Sequence, residues 1–401
     1  MLTIVNRKVV LPVLIALSFS LITFILCELV LRIYTPQMTY SKLLFLTGEQ
    51  YVNGDFIPFT LKSNYEGGSL SQEFPGQLVT IRTNSLGLRG QETTLIKPHK
   101  TKRILILGDS YTFGVYCEIN QIYPTILEKL YRQEGQNVEV INAGYADGWS
   151  PDEHYAWLVN RGINFEPDVI IYGFFIGNDI SGILPSGWRE IDKRGLPRRI
   201  INPDIYIDKH GRIRSKVKDE KTVGTDFIYK IPLLRESHFL ILASRLLTKI
   251  LHIQPNSSAV NQGWGETPFD PILKPSLSEN NRGKDKLFLR LVKGMSEVAN
   301  ENHAKFLLLM IPVNFQVEPE IFLEMVLGSN KFKIERDFFK ELEPVLKTMN
   351  IEYVNLLPRM KEIPERKFYP RNGEVHFNPR GHKFSATELK KKMDLLNWLS
   401  R

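Results

Sequence analysis

Five short apolar runs, each separated from the next by at least a helix length of chain, constrain this sequence more than any other feature. RILIL at 103–107, VEVIN at 138–142, DVIIYGFF at 168–175, KFLLLMI at 305–311 and EYVNL at 352–356 have the length and composition of strands. Amphipathic stretches of helical spacing lie near 121–134, 152–163, 283–302 and 332–349, with a last one over 382–398. Short strands alternating with helices are the pattern of βαβ units. The fold class expected is therefore α/β, with a mainly parallel five-stranded sheet between helix layers.

Composition narrows the chemistry. With 43% hydrophobic and 24% charged residues, the chain is a folded protein and not a disordered, collagenous or simple coiled-coil one. Lys and Arg exceed Asp and Glu by 52 to 44, and an excess of +8 over 401 residues is too dilute to indicate a nucleic-acid partner. Two cysteines, Cys27 and Cys117, with no CxxC pair, fit neither a disulfide scaffold nor a cysteine zinc site. No metal or cofactor is expected, and any catalysis falls to other side chains.

From Val9 to Cys27 the chain carries 19 residues without a charge. At about 1.5 Å per helical residue this approaches a hydrocarbon core of about 30 Å. Arg7 and Lys8 precede it, so the positive-inside tendency keeps residues 1–8 cytoplasmic, makes 9–31 an anchor in the lipid bilayer and exports the remainder of the chain. A cleaved signal peptide is the rival reading, but no small-residue cleavage site comes after the apolar run. Cys27 reads as an apolar helix residue, since bulky Ile25 and Leu26 precede it where a lipidation site has a small one. Cys117 is left as a lone, inert thiol.

Residues 32–100 are rich in Gly, Ser, Thr, Asn and Pro and read as a connector packing on the domain of 101–398. An insertion at about 181–280 is far longer than an ordinary connection and is expected to be a subdomain or lid. IYIDKHGRIR within it reads as a hairpin turning at Asp208–Gly211. The basic run at 212–221 reads as a solvated face, and Asn256-Ser257-Ser258 matches a glycosylation sequon. Leu240, Leu246, Leu247 and Ile250 form an apolar face on Leu233–Leu251, expected to pack as core or lid, with a membrane surface or a partner groove as alternatives.

Open α/β sheets build their sites at the carboxyl ends of their strands. Ser110 in ILILGDSYTFG, Gly144 in VINAG and Asn178 in FFIGNDI come after three successive strands and so reach one rim. Such a rim offers a nucleophile and three possible oxyanion donors: the N–H groups of Ser110 and Gly144, and the Asn178 amide. A serine hydroxyl needs a base to take its proton. Of the eight histidines, His376 in NGEVHFNPRGH stands just before the last helix, where its loop can reach the rim, and Glu374 is the nearest group to orient it. His382 reads as structural, and Asp109 as shaping the site without carrying a proton. Asn178 with Asp179 also fits an Asx-type turn, and either Ser110 or Asp109 fits a helix cap.

GDS, NAG, GND and the late HFNPRGH, in this order, resemble the four blocks of the SGNH (GDSL) hydrolase superfamily over about residues 80–180 and 300–395. TNSLGLRG at 83–90 and the opening apolar helix resemble its membrane-anchored bacterial branch. The resemblance implies a flavodoxin-like three-layer fold, with Ser110 as nucleophile, Gly144 and Asn178 as oxyanion donors and His376 as general base. It further implies hydrolysis of short acyl esters, particularly acetyl on cell-surface carbohydrate, with acyl transfer to a sugar as a variant of the same chemistry. The superfamily usually has an aspartate two or three residues before its histidine; here those positions hold Glu374 and Gly373. A non-catalytic binding protein that has kept the fold is the alternative from another class. Oligomeric state is left open.

Overall fold

The computed structural model describes residues 7–35, 37, 39, 50–72, 77–146, 149–208, 211, 213–215, 231, 234–250, 279–319, 337–370 and 375–399. It divides into two units, Met1–Thr47 with Lys218–Gly263, and Gly48–Val217 with Trp264–Arg401.

In the first unit, helix α1 (Arg7–Tyr34) contains the apolar run and extends the expected 9–31 by a few residues at each end. Its stretch Leu11–Tyr34 is long and apolar enough to cross a membrane.

The second unit opens with two antiparallel pairs, β1 (Tyr51–Asn53) with β2 (Phe59–Leu61) and β3 (Glu66–Leu70) with β4 (Leu78–Arg82). The region read as a connector thus carries strands of its own. β5 (Lys102–Gly108) then leads through α2 (Ser110–Phe113) and α3 (Tyr123–Gln133) to β6 (Val138–Gly144). α4 (Pro151–Asn160), β7 (Val169–Phe175) and α5 (Asp179–Gly182) come next. The insertion contributes the hairpin β8 (Ile205–Ile207) and β9 (Ile213–Ser215) to this unit, and α6 (His238–Ile250) to the first. α7 (Glu279–Glu301), β10 (Lys305–Ile311), α8 (Asn314–Val317), α9 (Phe338–Thr348), β11 (Glu352–Asn355), α10 (Leu356–Glu362) and α11 (Pro379–Leu395) complete the chain.

The five expected strands form one parallel sheet in the order β11-β10-β7-β5-β6. Counted along the chain this is 2-1-3-4-5, the flavodoxin-like doubly wound order, whose direction of winding reverses between β5 and β7. α3 packs with α11 and α4 with α7, so helices cover both faces of the sheet. All seven residues of β7 are buried, as a strand between two helix layers requires.

The early part of the insertion is tied to α4 and α7. Trp188 Nε1 donates to Asp152 Oδ2 at 2.7 Å, the Tyr155 hydroxyl donates to Asp192, and Arg194 pairs with Asp192, Glu297 and Glu301. The stretch read as core or lid packing instead forms α6 and packs on α1 within the first unit. The sequon and most of the basic run lie outside the described residues.

Candidate active site

The geometry starts at Gly108, the last residue of β5, whose φ of +154° and crowded surroundings suit only glycine: a Cβ would lie 2.0 Å from Thr112 Oγ1. The chain therefore turns tightly from strand to helix. Asp109, and not Ser110, is the N-cap of α2, its Oδ1 accepting from Tyr111 N at 3.0 Å. Relieved of capping, the Ser110 side chain meets His376, whose Nε2 lies 2.7 Å from Ser110 Oγ. The sequence positions of these two residues differ by 266, and a partner pair at that distance requires the whole sheet to be assembled.

The histidine is held from several sides. The Tyr111 hydroxyl donates to Val375 O, and the Tyr111 ring lies 5.2 Å from the imidazole, centroid to centroid. Tyr116 stands edge-on to it at 5.5 Å and adopts φ +66°, a left-handed conformation rare for an aromatic residue. Just beyond, Asn378 caps α11 by accepting from the N–H groups of Arg380 and Gly381. Glu374 lies outside the described residues.

Gly144 ends β6. Its N–H donates to Asn142 Oδ1 at 2.9 Å, and a Cβ there would meet Phe113 N at 2.3 Å, so the glycine lets α2 sit close against β6. Asn178 does stand at the end of β7, with its side-chain amide beside Asp109 and no hydrogen-bond partner for Oδ1 among the described residues.

Behind these groups lie buried carboxyls. Burial pushes Asp109 up to about 6, against the opposing pull of the Tyr111 N–H, the His376 charge and the Asn178 amide. Burial, followed by the Asp109 charge, raises Asp179 well above the carboxylate range, although Tyr172 and Phe175 N donate to it at 2.8 and 3.0 Å. Asp179 thus fastens the end of β7. A carboxyl whose folded pKa exceeds its unfolded value near 4 binds more protons when folded, so its contribution to stability falls as pH rises through that window. Asp179→Asn should therefore gain thermal stability over the wild type as pH is raised from 4 to 8, read as a widening gap in melting temperature.

His382 is structural, as its sequence context suggests. It is buried, its Nδ1 accepts from Tyr123 N at 3.3 Å, and burial pushes it down to about 3, so it stays neutral.

Three contributors were not evident in the sequence: Tyr111, Tyr116 and Arg89. Arg89 is 0% exposed and, among the described residues, has no carboxylate hydrogen-bonded to it; its Nη1 donates to Phe113 O and Gly114 O and its Nη2 to Cys117 O, at 2.8, 2.5 and 2.6 Å. These carbonyls end α2, so the guanidinium acts as a C-terminal cap for the helix that begins at the nucleophile. The local cause is a loop in which Asn84 Oδ1 accepts from Leu86 and Leu88 N and Gly87 takes φ +70°, which turns the chain so that Arg89 enters the core. Nothing in the TNSLGLRG sequence shows what the arginine touches.

The doubly wound sheet thus carries a hydrogen-bonded serine–histidine pair at the end of β5, beside its switch point. No family model matches the sequence, and no curated protein matches it. Solved structures similar to it include a two-domain esterase active on acetylated mannans, at 13% identity and TM-score 0.37, covering 74% of this chain and 50% of that one. A lipase/acylhydrolase from Enterococcus faecalis matches at 13% identity and TM-score 0.36, covering 74% and 96%. An acetyl xylan esterase matches at 12% identity and TM-score 0.35, covering 72% and 98%. The chain thus aligns with about half the length of the mannan esterase and nearly all of the other two.

Proposed function

We propose that this protein is a membrane-anchored serine esterase that removes short acyl groups, acetyl foremost, from cell-surface carbohydrate. The observation that carries the reading is the 2.7 Å contact between His376 Nε2 and Ser110 Oγ. In the first step Nε2 takes the hydroxyl proton as Oγ bonds to the ester carbonyl carbon. The resulting oxyanion is met by the Ser110 N–H and the Asn178 side-chain amide. Collapse breaks the bond to the sugar oxygen, which leaves with the proton from Nε2, and an acyl-serine remains. Water then attacks with the same base, freeing the acid and restoring Ser110. Glu374, two residues before His376, is the carboxylate that would orient the imidazole.

The substrate class rests on the resemblance to SGNH enzymes. Retention of α1 as an anchor, with Arg7 and Lys8 on the cytoplasmic side, is supported by Glu28, which accepts hydrogen bonds from the start of α6 and so makes α1 a structural partner of the mature chain.

The test is labelling of the detergent-solubilised full chain with a serine-reactive fluorophosphonate. Labelling in the wild type that disappears in Ser110→Ala supports the enzyme; no adduct in the wild type, or equal labelling in both, returns the fold to a binding role. Supplying an acetyl donor with an oligosaccharide acceptor separates hydrolysis, which releases acetate, from transfer, which acetylates the sugar. For the acid, Glu374→Gln is expected to slow acetate release far more than Glu374→Asp, and equal rates in all three proteins would exclude this carboxylate.

A further inference from the structure

The Glu28 carboxylate lies on an otherwise apolar helix, 17 residues after Leu11, which puts it about 26 Å along the axis, at the far end of a bilayer-spanning segment. It accepts from Ser237 Oγ at 2.9 Å, His238 N at 3.0 Å and Phe239 N at 2.9 Å, and Arg32 Nε donates to it at 2.8 Å. The first three donors open α6. A carboxylate on one helix therefore caps the N-terminus of another and fixes where α6 begins.

The cover that α6 gives α1 is limited. Phe24, Cys27, Glu28 and Leu31, at helical spacing, are partly buried, whereas every residue from Leu11 to Phe19 is exposed. Among the described residues, the contacts between α6 and α1 lie near the far end of α1. Phe239 makes the contact, packing edge-on against Phe24 at 5.4 Å. Leu246, seven residues on, lies on the same stripe of α6, yet it is 51% exposed and Leu247 57%. The face that meets the spanning helix thus continues past it, apolar and uncovered.

We propose that α6 is an interfacial helix, seated by Glu28 at the rim of the bilayer on the side where α1 ends, with Leu246 and Leu247 embedded among the lipid chains. The occupant of this face is phospholipid. Continuity argues for it: the stripe starts on the spanning helix at the depth where acyl chains give way to headgroups, and amphipathic helices lie in that plane. Arg245 and Lys249 in the same sequence are the residue types that such helices present to headgroups. The inference rests on the anchor reading of α1 and is independent of the esterase chemistry.

The experiment uses the full chain with Cys27→Ala and Cys117→Ala, reconstituted in phosphatidylcholine vesicles. A single new cysteine, Phe19→Cys, Leu246→Cys or Ile96→Cys, carries an environment-sensitive fluorophore. Lipids bearing a nitroxide at the middle of the acyl chain are expected to quench the label at 19 about twofold, lipids bearing one near the headgroup end to quench the label at 246 about twofold, and neither to quench the label at 96. Glu28→Ala should reduce quenching at 246 and leave it at 19. Quenching at 19 but not at 246 overturns the inference and leaves the anchor standing; no quenching at 19 overturns both. A label at 246 that is shielded from aqueous iodide without lipid quenching is covered by protein, which also overturns it.

Discussion

His376→Ala is expected to lower turnover of a short ester such as 4-nitrophenyl acetate by about 10⁴-fold or more, with KM nearly unchanged. The serine hydroxyl reacts only as its proton leaves, and Nε2 is the base within reach at 2.7 Å. Fluorophosphonate labelling of Ser110 should slow in parallel, since that reaction needs the same deprotonation. The fold should tolerate the change: His376 is only partly buried, and Tyr111 holds the loop through the carbonyl of Val375, which the substitution retains. Turnover within tenfold of the wild type, measured on protein of unchanged melting temperature, would remove His376 from the mechanism.

The second large effect is on the integrity of the nucleophile turn. Burying a guanidinium without an ion-pair partner costs several kcal/mol, and burial pushes Arg89 down to about 10. Its hydrogen bonds to three carbonyls contribute about 1.5–3 kcal/mol each and offset that cost. Arg89→Met removes the buried charge but leaves the carbonyls of Phe113, Gly114 and Cys117 without these donors. Unsatisfied buried groups cost about 1–3 kcal/mol apiece, so a net loss near 3 kcal/mol is expected. Arg89→Lys should recover little, because one ammonium cannot reproduce the fork that spans these oxygens. Denaturant titration measures the loss. The rate of Ser110 labelling under native conditions tests whether α2 has shifted, and an unchanged rate in a destabilised protein would confine Arg89 to stability.

The sheet was legible because its three central strands, β5, β7 and β10, are covered on both faces and read as apolar runs that no surface strand would carry. The antiparallel pairs before it were not: EGGSL and YVN are short and lack alternation, and their pairing depends on partners 6 to 16 residues away. Ser110 and Asn178 were read from the ends of their strands and His376 from its place before the last helix, and the structure brings Ser110 and His376 together. A glycine at a strand end suits an oxyanion donor and a close-packing floor equally, and the sequence around Gly144 does not show its close approach to α2. Arg89 was hidden for a related reason, since a basic residue in a Gly-containing loop ordinarily faces water. Tyr111 and Tyr116 left a faint signal, two aromatics bracketing the short stretch after the nucleophile. The apolar face of α6 was visible, but its partner, a helix some two hundred residues earlier, was not.

The division of labour between Asp109 and Ser110 gives the protein a practical use. Because the neighbouring aspartate holds the start of α2 and Arg89 its end, the serine hydroxyl bears no architectural duty. The alanine form should be as stable as the parent and keep an unaltered binding surface. It would serve as a bait: immobilised and incubated with cell-envelope extracts, it would retain the intact ester that the active protein destroys, and so identify the natural acyl group and the sugar that carries it.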